Sequence, residues 1–213
     1  MAKARGKPKV DTGTIELQRL QDAVIEIPIV GLTPLIPHKW SEKAKRMMPG
    51  HPDGDAVKKA KGKRDPKAEA DACLYLLGKA LAFPATGFKA AMVGACRFFE
   101  KPSMTEAKQL LFVEGEGPEQ LVRIHGDKEL REDMPRNANG NADLRYRYYI
   151  HEWKGVLRVR YVPIRISKES VVALADAAGR GGCGDWRPSA PKSHTGTYGT
   201  WRVDTTKAVK DVA

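Results

Sequence analysis

Residue types capable of chemistry are densest between Gly179 and Val203, where the chain reads GRGGCGDWRPSAPKSHTGTYGTWRV. Gly182, Gly184, Gly196 and Gly199 permit positive φ and let a backbone come close to a phosphate. Arg187, Lys192 and Arg202 carry the charge to neutralise that phosphate, and Trp186, Tyr198 and Trp201 offer flat faces on which bases stack. The chemistry is recognition of a sugar-phosphate chain rather than bond making. A surface loop with a glycine helix cap and ordinary core aromatics accounts for the same spacing, so the glycines alone do not decide between the two.

Two other cationic groups have the right composition for a polyanion. Lys58, Lys59, Lys61, Lys63, Arg64 and Lys67 crowd a glycine-containing stretch, although such charge runs are as often simply solvated. Arg145, Tyr146, Arg147, Tyr148 and Tyr149, with Arg158 and Arg160, interleave cations and aromatics. Strand alternation turns half of these side chains inward, so only one set of Arg and Tyr faces a ligand. His38 is a weak candidate for a general base; it has no evident partner and reads more readily as a polar loop residue. His51, His125, His151 and His194 are dispersed, and Cys73, Cys96 and Cys183 lack CxxC spacing, so neither a metal site nor a disulfide framework is expected. Asp127, Glu129, Glu132 and Asp133 are an acidic cluster that could take Mg²⁺, but they read more readily as a solvated loop. No cofactor is expected.

The elements that must position these residues follow from periodicity. Val24 to Val30 alternates as a strand, with Pro28 placing it at an edge or a bulge. Ser41 caps a short basic helix through Met48, and residues 49–67, rich in Gly, Pro and charge, form a loop reaching from the body. Phe88, Met92, Ala95 and Phe99 fall at helical spacing within Phe83 to Phe99, leaving Lys89 and Arg97 off the apolar stripe. Lys108 to Glu114 and Gln120 to His125 flank Gly115, Gly117 and Pro118 as a hairpin. Arg131 to Asp143 is a polar loop, Leu144 to Ile150 and Gly155 to Val162 are strands, and Ser167 caps a helix that Gly179 ends. Thr197 to Val203 is the last strand and residues 205–213 are a polar tail. The order fits an α+β, ferredoxin-like (RRM-like) antiparallel sheet with helices on one face and a basic loop insertion at 49–67, spanning residues 21–204 after a flexible basic arm at 1–20.

A helix followed by GGCGDWRP, a basic spacer and then GTYGTWRV resembles the glycine-rich loop of the repeat-associated mysterious protein (RAMP) superfamily. The match falls on Gly182, Gly184, Arg187, Gly196, Tyr198, Gly199 and Arg202. Most of the chain, including IVGLTPLIPHKWSEKAK and FPATGFKAAMVGACRFF, is also similar to bacteriophage proteins of this size. The resemblance implies a ferredoxin-like fold whose loop contacts RNA, as in the CRISPR-associated crRNA-binding subunits and processing endoribonucleases. It further implies assembly along a strand, as a homo-oligomer or with effector-complex subunits. The chain is short for a backbone subunit of that superfamily and has no evident thumb insertion beyond residues 49–67.

Composition narrows the partner. The 213 residues carry 37 Lys and Arg against 26 Asp and Glu, a net charge of +11, which suits nucleic acid better than an acidic or neutral ligand. With 41% apolar residues the chain has enough to bury one core, and it has no run of the ~18 apolar residues a membrane helix needs. A soluble protein in the cytoplasm of a bacterial host cell is expected. Three functions are open: non-catalytic binding of single-stranded RNA or DNA, with RNA favoured; metal-independent endoribonuclease activity through His38; and a phage accessory or virion role on DNA.

Overall fold

The computed structural model describes residues 17, 19–40, 42–46, 50, 52, 64–135, 142, 144–191 and 194–212. Most of the basic arm, the Ser41 cap, most of the 49–67 loop with Lys58, Lys59, Lys61 and Lys63, and Lys192 lie outside these residues. The chain runs β1 (Ala23–Gly31), α1 (Glu42–Arg46), α2 (Pro66–Asp71), β2 (Tyr75–Leu77), β3 (Ala80–Pro84), α3 (Ala85–Ala95), a 3₁₀ turn (Cys96–Phe98) and α4 (Met104–Leu110). It continues through β4 (Leu111–Glu114), β5 (Leu121–Asp133), β6 (Arg145–Tyr161), α5 (Lys168–Gly181), β7 (Trp201–Val203) and β8 (Lys210–Val212). The architecture is mixed α and β, with an antiparallel sheet ordered β2-β3-β5-β6-β1-β7, β4 added on β6 and β8 on β1. Among the described residues no helix is long and apolar enough to cross a membrane.

Alternation sorts the central strands into two faces. Ile25, Ile27 and Ile29 of β1 and Trp153, Leu157 and Val159 of β6 are buried against Phe88 and Met92 of α3 and Val171, Leu174 and Ala178 of α5. Burial of this order, about 1.5–3 kcal/mol per large apolar side chain, is what holds the two helices on the sheet. Trp201 sits at the centre: its indole N–H donates to the Ala175 carbonyl at 3.1 Å, and its ring meets Phe88 edge-on at 5.5 Å. The outward residues are Val156, Arg158 and Arg160 of β6 and Glu26 of β1.

Several elements differ from the sequence expectation. The runs 108–114 and 120–125 do not form a hairpin: β4 and β5 both pair antiparallel with β6, so they point the same way. They are one strand interrupted by an excursion at residues 115–120, pinched by a bridge between Glu116 and Leu121. The strands expected at 144–150 and 155–162 are the single long β6. Glu152, held at φ 45°, sits beside a register shift between His125 and Asp127, a bulge that interrupts the ladder without ending the strand. Phe83 belongs to β3, and a hairpin through Gly78 and Lys79 precedes the helix, which begins only after Pro84.

The tail is partly a strand, since β8 pairs with Val24–Glu26 while β7 pairs with Ile29–Gly31. Gly196 and Gly199, expected in the last strand, precede it. Pro28 sits in the gap between those two short partners, where its carbonyl accepts from Asp204 N–H at 2.9 Å. The imino acid falls where the flanking chain turns away, so no ladder donor is missed.

Trp201→Ala is expected to lower the unfolding free energy by about 3–5 kcal/mol in urea titration. Val156→Ala, on the outward face, should change it by less than about 0.5 kcal/mol. Equal effects would contradict this assignment of faces.

Candidate nucleic-acid interface

The glycine-rich segment begins where α5 stops. Ser167 caps the start of α5 by accepting from Ser170 N–H, and Gly182, at φ 67°, turns the chain out of its end. The loop is then knitted to the extended segment after β1: Gly199 N–H donates to Pro34 O at 2.8 Å and Asp185 N–H to Ile36 O at 2.9 Å. It also closes on itself, Cys183 N–H to Gly199 O at 3.0 Å and Tyr198 N–H to Trp186 O at 3.1 Å. Gly199, at φ 67°, has no room for a side chain, because a Cβ there would lie 1.8 Å from the Cys183 carbonyl oxygen. A Cβ on Gly184 would come to 2.6 Å from Ile36 O. These glycines are consumed by close approach of the chain to itself.

What seats the loop is Arg147, which projects from β6 at 1% exposure. Its Nη1 donates to the Asp185 carboxylate, its guanidinium stacks 4.5 Å over the Trp186 ring, and its Nε lies 3.8 Å from Asp133. Nε and Nη2 have no hydrogen-bond partner. Expected as a ligand contact, Arg147 is instead an internal cation, since a guanidinium buried this deeply needs its counter-charge inside the protein. Asp133 in turn accepts from the Tyr149 hydroxyl at 3.2 Å, and burial with that carboxylate nearby raises the Tyr149 phenol. Tyr149 meets Tyr198 edge-on at 5.2 Å, and Tyr198 lies 6.0 Å from Trp186. Trp186 adopts φ 53°, a conformation costing on the order of 1–2 kcal/mol outside glycine; the cation–π contact and the Tyr198 hydrogen bond hold it there.

His38 has a partner that no local spacing reveals. Its Nδ1 donates to Asp185 Oδ2 at 3.0 Å, the same oxygen that receives Arg147. Burial pushes the Asp185 carboxyl up, but the His38 hydrogen bond and the Arg147 charge outweigh it and hold the group below the ordinary value of 3.8. Burial strongly raises the Cys183 thiol, leaving it an inert core residue. Among the described residues no group of three or more His, Cys, Asp or Glu is placed to hold a metal ion.

The remaining cations divide into paired and unpaired. Arg158 binds Glu114 at 2.9 Å, and Arg160 binds Asp22 at 2.7 Å and Glu114 at 3.0 Å. The outward sheet face is therefore laced with ion pairs. Arg64 is fixed beside α2 by Glu69 at 2.9 Å and by the Leu144 carbonyl. Arg145 is half-buried near Asp133, its neighbour across the ladder. By contrast, among the described residues Arg187 donates only to its own loop, to Gly184 O at 3.0 Å, and exposed Arg202 on β7 has no carboxylate partner. Gly182, Gly184, Trp186, Arg187, Gly196, Tyr198 and Gly199 are thus gathered in one loop that leads into Arg202.

Beside this loop lies a groove of about 840 Å³, bounded by α3, the C-terminal turn of α5 and residues 182–189, with His38 at its margin. Arg97, Phe98 and Arg180 line it, none of which the glycine pattern brings to notice. Their only signal in the sequence is that Arg97 falls off the apolar stripe of its helix.

No protein-family model matches the chain, and no curated protein matches it. Among solved structures it is similar to a chain of the type III-B Cmr-beta complex, determined by cryo-EM bound to cognate target RNA. The TM-score is 0.41 at 10% identity, over 90% of this chain and 61% of that one. The chain thus spans about three fifths of that neighbour's length.

Asp185→Asn removes the carboxylate that Arg147 donates to, leaving only Asp133 at 3.8 Å, and is expected to cost about 3 kcal/mol at neutral pH. Because the Asp185 value is depressed in the fold, its stabilisation is full above the ordinary aspartate range and is lost as pH falls through the lower folded value. The wild type and the Asn variant should therefore converge in acid. A gap independent of pH, followed by chemical denaturation, would contradict the ion pair.

Proposed function

We propose that the chain is a non-catalytic single-stranded nucleic-acid-binding protein of RAMP type, with RNA as its preferred ligand. Its fold reads as ferredoxin-like. The strands β5-β6-β1-β7, with α3 on the path from β1 to β5 and α5 joining β6 to β7, have the order that topology requires, and the β2–β3 hairpin with the basic loop reads as an insertion. The observation that carries the function is the division of arginines: among the described residues Arg158 and Arg160 of the outward sheet face are neutralised by carboxylates, while Arg187 on the loop and Arg202, on the edge strand of that face which the loop enters, have none. In a chain with net charge +11 that contrast favours a polyanion at the loop. Phosphates would sit on Arg187, Arg202 and Lys192, with Tyr198 stacking. Trp186 spends one ring face on Arg147 and serves mainly to hold the loop. Head-to-tail assembly along a strand, alone or with other subunits, belongs to the same proposal.

Binding of a 20-nucleotide single-stranded RNA should exceed that of the matching DNA and duplex, with log K falling against log salt at about −0.7 per neutralised phosphate. Arg187→Gln with Arg202→Gln should flatten that slope by about 0.7 per arginine. An unchanged slope, or equal weak binding to all three ligands, would refute the reading; duplex preference would favour a DNA-managing protein.

The His38–Asp185 pair favours one second reading, metal-independent RNA cleavage. With Nδ1–H committed to the carboxylate, Nε2 is the acceptor available to a ribose hydroxyl in the adjoining groove. That reading predicts cleavage in EDTA to a 2′,3′-cyclic phosphate and a 5′-hydroxyl, abolished by His38→Ala. Intact RNA after prolonged incubation with the wild type would dismiss it.

A further inference from the structure

The groove between α3 and α5 is built in a way the fold itself does not require. Gly94 lies near the end of α3, yet a Cβ added there meets nothing within 4 Å, and its backbone is ordinary helix. Glycine at such a position forfeits on the order of 1 kcal/mol of helix stability relative to alanine. Gly181, across the groove in the last turn of α5, is similar: a Cβ would make only ordinary contacts, 3.5 Å from Ser189. By contrast, Gly87 on α3 and Gly179 on α5 are excluded from carrying side chains by Phe83 and by the Trp201 carbonyl. The two unexplained glycines both border the space occupied by no part of the described chain.

Charge indicates what fills it. Arg97 and Arg180 line the groove with Arg187, and both are exposed with no carboxylate partner among the described residues. Each stands at a helix C-terminus, where the dipole favours a cation by about 0.3–1 kcal/mol. That explains their sign, but Arg123, Arg158 and Arg160 on other surfaces each found a carboxylate as well. Among the described residues the groove's one acidic lining residue, Asp185, is already taken by Arg147 and His38. Phe98 lines the same space at 63% exposure, an aromatic face left in solvent beside three guanidinium groups. Arginines without a carboxylate, a bare aromatic and a lining of small residues, Gly94, Ala90, Ala91 and Gly181, suit alternating phosphates and flat bases.

We infer that this groove, and not the outward sheet face, carries the strand onward from the glycine-rich loop, with phosphates on Arg97, Arg180 and Arg187, a base on Phe98 and the backbone passing over Gly94. The inference rests on the single-strand reading above and assigns three side chains to it, Arg97, Phe98 and Arg180, that lie outside the loop.

The test uses the full chain with a fluorescent 20-nucleotide oligouridine and reads anisotropy and thermal unfolding together. Gly94→Leu should unfold no earlier than the wild type, since its side chain enters open space on a helix, yet bind about tenfold more weakly. Arg97→Gln with Arg180→Gln should flatten the salt slope by about 0.7 per residue, while Arg123→Gln, whose charge is already paired, leaves it in place. If Arg187→Gln weakens binding and Gly94→Leu and the Arg97/Arg180 pair do not, the groove assignment is overturned and the loop reading stands. If the groove variants weaken binding and Arg187→Gln does not, the loop reading falls instead. Polyglutamate bound in place of oligouridine, and released by Gly94→Leu, would make the groove a peptide site and overturn the nucleic-acid assignment.

Discussion

A guanidinium group at 1% exposure is the constraint around which the loop side of this molecule is arranged. Taking Arg147 out of water costs several kcal/mol unless a counter-charge accompanies it. Asp185 supplies that charge, and it arrives on the glycine-rich segment, so neutralising one buried cation also fixes where the loop sits. Trp186 closes over the guanidinium and His38 binds the same carboxylate, which ties the segment after β1 to the segment after α5. The glycines follow from this docking, because a loop drawn onto the sheet and onto its own strand must let carbonyls approach Cα atoms directly.

Once the loop is docked, the placement of charge becomes asymmetric. The outward sheet face, where an exposed Arg158 and Arg160 invite a polyanion, is occupied by their own carboxylates from β1, β4 and the chain preceding β1. Exposed ion pairs of that kind add at most about 1 kcal/mol each to stability, but they remove free cations from a binding surface. Arginines without a carboxylate among the described residues include Arg202 on the edge strand of the outward face, Arg187 on the loop, and Arg97 and Arg180 at the helix ends beside it. A strand held there would run past the helices rather than across the sheet, with the Arg147 anchor setting the height of the loop it touches.

The sequence speaks clearly where one residue period governs an element. The β1 alternation, the Ser167 cap and the split of Val156, Arg158 and Arg160 from Leu157, Val159 and Tyr161 all appear as periodicity requires. It is silent where long-range geometry overrides local pattern. Glu152 lies in a left-handed conformation that no propensity assigns to glutamate, so β6 reads as two strands. Gly115 and Gly117 signal a turn but not that the chain re-enters the same ladder afterwards. Arg147 and Arg158 are indistinguishable as letters in arginine-rich strands; the arrival of Asp185 and Trp186 over Arg147 buries one and leaves the other in solvent. The loop itself was legible from glycine density and adjoining arginines, whereas Arg97, Phe98 and Arg180 were not, because they converge from two helices distant in sequence.

Photo-crosslinking addresses the central claim most directly. A single-stranded RNA carrying 4-thiouridine at alternating positions, irradiated with the full chain and mapped by mass spectrometry, should attach to residues 94–98 and 180–199. Attachment confined to residues 112–116 and 154–160 would place the ligand on the ion-paired sheet face and contradict the account.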